Sequence, residues 1–277
     1  MTEKTNNNTI EDYLKDYCRL SIQISLNGLS FCVLDTISNK IIDAQRVQFT
    51  KELPPDLVLK ELRQLLEKNQ IDHSVFLDVV VVHRNHLFSL VPKPMFDVSE
   101  LANYLKFNVR ILTNDQLAHD EFENLEMANV YVPFMNINNY IYDLFGEFVY
   151  KHHGTVMIQS LMGIHTRKEL VCYVHLSNRQ MDVTVISNKK LLFFNCFENG
   201  SDEDFLYYLL FTFEQLQLDP ETIPLKLFGE IAEDDSLYLL CYQYVRHLSI
   251  MKTTNVTHAL EVTPESENID FTLINAL

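Results

Sequence analysis

The chain has 277 residues, 47% hydrophobic and 22% charged, enough apolar material for a packed core, which excludes a disordered polymer. Its formal charge is −16, from 22 basic and 38 acidic side chains, so a broad surface for nucleic acid or anionic lipid is disfavoured. It has six glycines, little material for loops that bring backbone N–H groups onto a phosphate, and its five cysteines include no CxxC pair that would mark a zinc ribbon or a thioredoxin-like redox centre.

Residues 1–18 read as a polar lead. It lacks the apolar core of a secretory signal, and no later apolar run is long enough for a membrane span. Leu20, Ile22, Ile24 and Leu26 then alternate with polar residues, Asn27-Gly28 signals a tight hairpin, and Leu29, Phe31 and Val33 continue beyond it. A third strand over 41–49 completes a meander. Pro54-Pro55 opens a helix whose apolar face is Val58, Leu62, Leu65 and Leu66. The run Val79-Val80-Val81-Val82 reads as a strand buried on both faces. Asp97 with Glu100 caps a helix to about Lys106, a short strand covers 130–132, and Ile137, Ile141, Leu144, Phe145 and Phe148 mark an amphipathic helix.

Near Gly154 the order restarts. A strand is expected over 156–161, followed by a second meander over 170–176, 181–187 and 191–197. Ser201 with Asp204 caps a long helix to about Leu216, apolar nearly all round and therefore expected to be largely buried. A strand over 225–228 ends at Gly229, and Asp234-Asp235 opens a last helix to about Arg246. In the tail, residues 263–277, Phe271, Leu273 and Ile274 are expected to dock. Both halves thus run meander, helix, strand. This predicts an α/β chain (α+β in its mixed sheets) of two lobes, 19–152 and 153–277 with the tail. The cysteines Cys18, Cys32, Cys172, Cys196 and Cys241, mostly inside apolar runs, suit a reducing, cytoplasmic setting.

A duplicated order of this kind resembles the actin-like ATPases, whose two lobes are RNase H-like. That resemblance implies an interlobe nucleotide site with three motifs. The first is an Asp-x-Gly turn in the first hairpin, where this chain has Gln23 and Ser25 ahead of Asn27 and Gly28. The second is a glycine-rich phosphate loop opening on an Asp, where His175 stands at that first Asp and Ser177, Asn178 and Arg179 replace glycines; only the later Asp182 is kept. The third is a Gly-Gly pair, of which Gly229 remains. The resemblance is closest to an uncharacterised bacterial family with a degenerate form of this fold, over 195–197 and Asp204 to Leu210. It is looser to the pilus-assembly protein PilM and the cytoplasmic part of type II secretion protein L, which serve as scaffolds.

Mg²⁺ requires hard oxygen ligands, which Gln23 and His175 do not supply as carboxylates, although Arg179 would serve as a phosphate clamp. The expectation is a non-catalytic interaction or scaffold module with a protein partner, no nucleic acid, no cofactor and no metal. The alternatives are an ATP/ADP switch at Asn27, Gly28, Ser177, Asn178, Arg179, Asp182 and Gly229, and an unidentified enzyme in the cleft. His83 and His86 read as a solvated strand end, and His152-His153 as cations near a helix C-terminus. Acidic residues 202–204 and 233–235 read as helix starts.

Overall fold

The computed structural model describes residues 17–252 and 269–277, apart from residues 74, 108, 113, 114, 123, 166, 167, 178 and 199. The expected lead, up to residue 16, and the start of the expected tail therefore lie outside the described residues.

The first half contains β1 (Cys18–Ser25), β2 (Gly28–Asp35), β3 (Lys40–Gln48), α1 (Pro55–Lys68), β4 (Asp78–His83), β5 (Phe88–Pro92), α2 (Leu101–Leu105), β6 (Ala118–Glu121), β7 (Met127–Tyr131), α3 (Met135–Phe145) and β8 (Val149–His152). The second contains α4 (His153–Ile164), β9 (Val171–Ser177), β10 (Gln180–Ser187), β11 (Lys190–Glu198), α5 (Asp202–Gln215), β12 (Pro224–Gly229), α6 (Ser236–Tyr242), β13 (His247–Ile250) and α7 (Phe271–Asn275).

Two five-stranded sheets share one plan. Their orders are β3-β2-β1-β4-β8 and β11-β10-β9-β12-β13, each an antiparallel meander extended by two parallel strands. A small sheet, β5-β7-β6, is inserted in the first half. One face of the first sheet packs Leu20, Ile22 and Ile24 against Val58 and Leu62 of α1 and Ile137 and Ile141 of α3. The second sheet repeats this with Val183 and Leu227 against Phe205, Leu209 and Leu237 of α5 and α6.

The two halves exchange their last helices. α4 leaves β8 and packs Met157, Ile158 and Leu161 onto Val171, Tyr173, Ile186 and Phe194 of the second sheet. α7, after β13, packs Leu273 and Ile274 onto Cys32 and Leu34 of the first. β8 ends at His152 and α4 begins at His153, while α7 returns to the first sheet.

Four local expectations are corrected. Residues 156–161 form the middle of α4, not a strand; a short apolar run buried on all sides carries no period that separates helix from strand. The first hairpin turns at Leu26-Asn27, one residue before the Asn-Gly signal, because Ser25 pairs with Gly28. The Ser25 hydroxyl accepts from the Asn27 N–H at 3.2 Å and donates to the Gly28 carbonyl at 3.0 Å, closing the loop without a positive φ at either residue. α5 buries one face only: Phe205, Leu209, Thr212 and Phe213 are inside, whereas Tyr207 is 63% exposed and stacks along Phe211. The helix expected to reach about Arg246 ends at Tyr242, and a strand unforeseen in the sequence, β13, follows.

Candidate functional site

Between the two sheets lies a buried polar cluster built from both halves. On the second sheet, Asp182 of β10 is flanked in register by His175 of β9 and Cys196 of β11, so the three side chains form one row across the strands. The first half contributes Arg84, just beyond β4, and α4, which follows β8, contributes its first residue, His153. Asp270, the N-cap of α7, completes the group.

The Arg84 guanidinium donates to Asp182 Oδ2 at 2.8 Å and to Gln180 at 3.2 Å, and its other amino group lies 3.9 Å from Asp270. His175 Nδ1 donates to Asp182 Oδ2 at 3.1 Å, and its Nε2 lies 3.6 Å from Asp270 Oδ2. His153 Nε2 sits 3.3 Å from Asp182 Oδ1 and 3.2 Å from Cys196 Sγ. Burial opposes the charge of Asp182. The Arg84 guanidinium and the His153 and His175 contacts outweigh it and hold the carboxyl well below the usual carboxylate range. The same opposition, won by His175, Arg84 and the Thr272 hydrogen bonds, lowers Asp270. Burial lowers His153, leaving a neutral imidazole at neutral pH, and pushes the Cys196 thiol up beside the Asp182 carboxylate.

A second network secures the start of α4. His152 Nδ1 accepts from the Gly154 N–H and the Asn129 amide, both at 3.1 Å, so its Nε2–H donates to the Asn85 carbonyl at 2.9 Å. Asp120 accepts from the Thr155 hydroxyl at 2.6 Å and the His152 N–H at 2.8 Å. His152 and His153 are therefore buried at a helix N-terminus, which corrects their expected place near a helix C-terminus. His83 is likewise buried, not solvated. Its Nδ1 accepts from the Phe134 N–H at 3.3 Å, so Nε2–H donates to Asn138 at 2.9 Å. Burial lowers its pKa to about 4, and the Asn138 bond recovers only part of the loss. His86 is exposed, as expected.

All but one of the residues marked in the sequence have a position. Gln23 is buried on the cluster side of the first sheet, where its amide oxygen accepts from the Thr272 hydroxyl of α7. Asn27 and Gly28 serve the meander: the Asn27 carbonyl accepts from Phe49, and Gly28 pairs with Gln48. Ser177 lies 3.5 Å from Glu230, which receives Arg46 of β3 in an ion pair between the halves. Asn178 lies outside the described residues. Arg179 has φ 61° in the β9–β10 turn and lines a groove of about 330 Å³ with Ser177, Gly200 and Glu230. Gly229 has φ +91°, and a Cβ there would stand 2.2 Å from the Leu176 carbonyl, so the backbone itself requires glycine.

Arg84, His153, Cys196 and Asp270 carried no motif. Their weak signals were a charged residue one place beyond the valine run and His83 of β4, and an Asp-x-Thr start to the tail helix. Side chains distant in sequence meet only because α4 and α7 exchange partners.

Two lobes of this order, each closed by a helix that crosses to the other, define the actin-like ATPase fold. The chain is similar to a protein of that fold and of unknown function from Bacteroides thetaiotaomicron, at 20% identity and TM-score 0.74 over 88% of this chain and 93% of that one. It is similar to PilM in a PilM–PilN type IV pilus biogenesis complex, at 12% identity and TM-score 0.56 over 93% and 96%. The cytoplasmic domain of EpsL, an inner membrane component of the type II secretion system of Vibrio cholerae, aligns at 12% identity and TM-score 0.45 over 91% and 92%. No curated protein matches the sequence. The chain belongs to the family described as a protein of unknown function, DUF3822, whose model matches residues 6–248. Among the described residues, no helix is long and apolar enough to cross a membrane.

Proposed function

We propose that the chain is a non-catalytic interaction or scaffold module of the actin-like fold, working in the cytoplasm. The observation that carries this is the content of the interlobe space. Gln23, at the place of the first motif's carboxylate, is bound by Thr272, and Asp182 is held by Arg84 and His175. A phosphate chain entering there would meet the carboxylates of Asp182, Asp270 and Glu230, and would have to break hydrogen bonds that join the halves. PilM, of similar fold, is seen in complex with PilN, and a protein partner is the role proposed here by analogy. The exposed aromatics Tyr207, Phe211 and Tyr242 offer surface of the type enriched at interfaces.

The alternative is an ATP/ADP switch. It is supported by the groove beside Ser177 and Arg179, and opposed by Asp202, Glu230 and Asp235 in the lining of that groove. Melting the purified chain in millimolar Mg-ATP or Mg-ADP separates the two. The scaffold reading expects an unchanged melting temperature. A ligand present at 100 times its Kd would add about 2.7 kcal/mol, and a saturable rise of that kind would overturn the reading.

A further inference from the structure

We propose that His153 Nε2, Asp182 Oδ1 and Cys196 Sγ form a divalent metal site of the zinc type, which fastens α4 to the second sheet. The three ligand atoms lie within 4.8 Å of one another, with His153 Nε2 3.3 Å from the oxygen and 3.2 Å from the sulfur. A tetrahedral ion with bonds of about 2.0 Å to nitrogen and oxygen and about 2.3 Å to sulfur sets ligand atoms roughly 3.3 to 3.5 Å apart. Both His153 distances match this spacing, and the Asp182–Cys196 separation, within 4.8 Å, closes to it by side-chain adjustment.

The backbone and the surrounding groups hold this arrangement in place. Asp182 and Cys196 are direct cross-strand partners, and His153 is fixed by the start of a buried helix. Asp182 turns Oδ2 to Arg84 and His175, leaving Oδ1 toward His153 and Cys196. Partners of this kind orient a ligating carboxylate.

Charge favours a cation. Apart from its imidazoles, the cluster holds two carboxylates, Asp182 and Asp270, against one guanidinium, Arg84, all buried. Net buried charge is costly. When a divalent ion binds, the Cys196 S–H bond breaks, its proton leaves to solvent and a sulfur–metal bond forms. The ion's two positive charges are then balanced by the two anionic groups that bind it, the Asp182 carboxylate and the Cys196 thiolate. Imidazole and thiolate together select zinc-like ions over Mg²⁺ or Ca²⁺, which prefer all-oxygen shells. A cavity of about 310 Å³, lined by His153 and Cys196 and reaching exposed His86, gives the ion its entry and leaves room for water as fourth ligand.

The test is Co²⁺ titration of the full chain after chelator treatment. One equivalent is expected to produce the near-ultraviolet thiolate-to-cobalt band and the strong visible bands of tetrahedral cobalt, and Zn²⁺ should displace both. Cys196→Ser should lose the thiolate band, and His153→Gln should weaken binding by about tenfold or more. Absence of the thiolate band in the unmodified chain, or its persistence in Cys196→Ser, overturns the proposal. A check that needs no variant is alkylation of the unmodified chain, with the cysteines located by mass spectrometry. Zn²⁺ should shield Cys196 selectively, and equal modification with and without Zn²⁺ also overturns the proposal.

Discussion

Lowering the pH should destabilise this fold through His83 well before its carboxylates are protonated. The imidazole is fully buried, accepts from the Phe134 N–H and donates to Asn138, and the rings of Tyr131, Phe134 and Tyr150 surround it. Its pKa in the folded chain is about 4, against about 6.5 when unfolded. Between those values the unfolded chain binds a proton that the folded chain refuses, so stability falls as the pH falls. From pH 7.5 to 4.5 the loss assigned to this residue is about 2.5 kcal/mol. Urea unfolding of the wild type and His83→Gln at both pH values measures it. Glutamine offers an acceptor and a donor without titrating, so its loss over the same interval should be smaller by about that amount. His152 and His153, also buried and lowered, titrate in both proteins and largely cancel from the comparison. Equal losses in the two proteins would refute the assignment.

Arg84→Met should cost about 3–5 kcal/mol in urea unfolding at neutral pH, because it leaves Asp182 and Asp270 buried without their guanidinium; a cost below about 1 kcal/mol would mean that the cluster is not what joins the halves. In the wild type, these two lowered carboxyls add a second acid loss that begins as the pH falls below about 4, the unfolded carboxyl value; Asp182→Asn should lack the Asp182 share of it and keep the Asp270 share. Gly229→Ala should be destabilised by about 1–3 kcal/mol or more in melting experiments, since it adds strain at φ +91° to a clash with the Leu176 carbonyl. Thr272→Val should cost about 1–3 kcal/mol, because it strips buried Gln23 of its donor at nearly constant side-chain volume.

Much of the architecture was written in the sequence. Alternation at Leu20, Ile22 and Ile24, the valine run of β4 and the Ser201 cap of α5 are local signals. They specify their elements because side-chain period and capping act within a few residues. The repeated order of those elements was enough to give two lobes. That Gln23 and His175 offer no carboxylate is likewise read from the sequence, while their standing at phosphate and Mg²⁺ positions is what the resemblance implies. The failures came where burial, not period, is decisive. The apolar run at 156–161 looked the same for strand and helix, and His83, His152 and His153 looked like surface groups. Only the tertiary structure shows that α4 and α7 cross to opposite sheets. Through that exchange Arg84, His153, Asp182, Cys196 and Asp270, spread over 187 positions of chain, converge in one largely buried cluster. Sequence determines which groups exist and which element each belongs to. Their charge states and mutual distances depend on long-range packing, which no local pattern encodes.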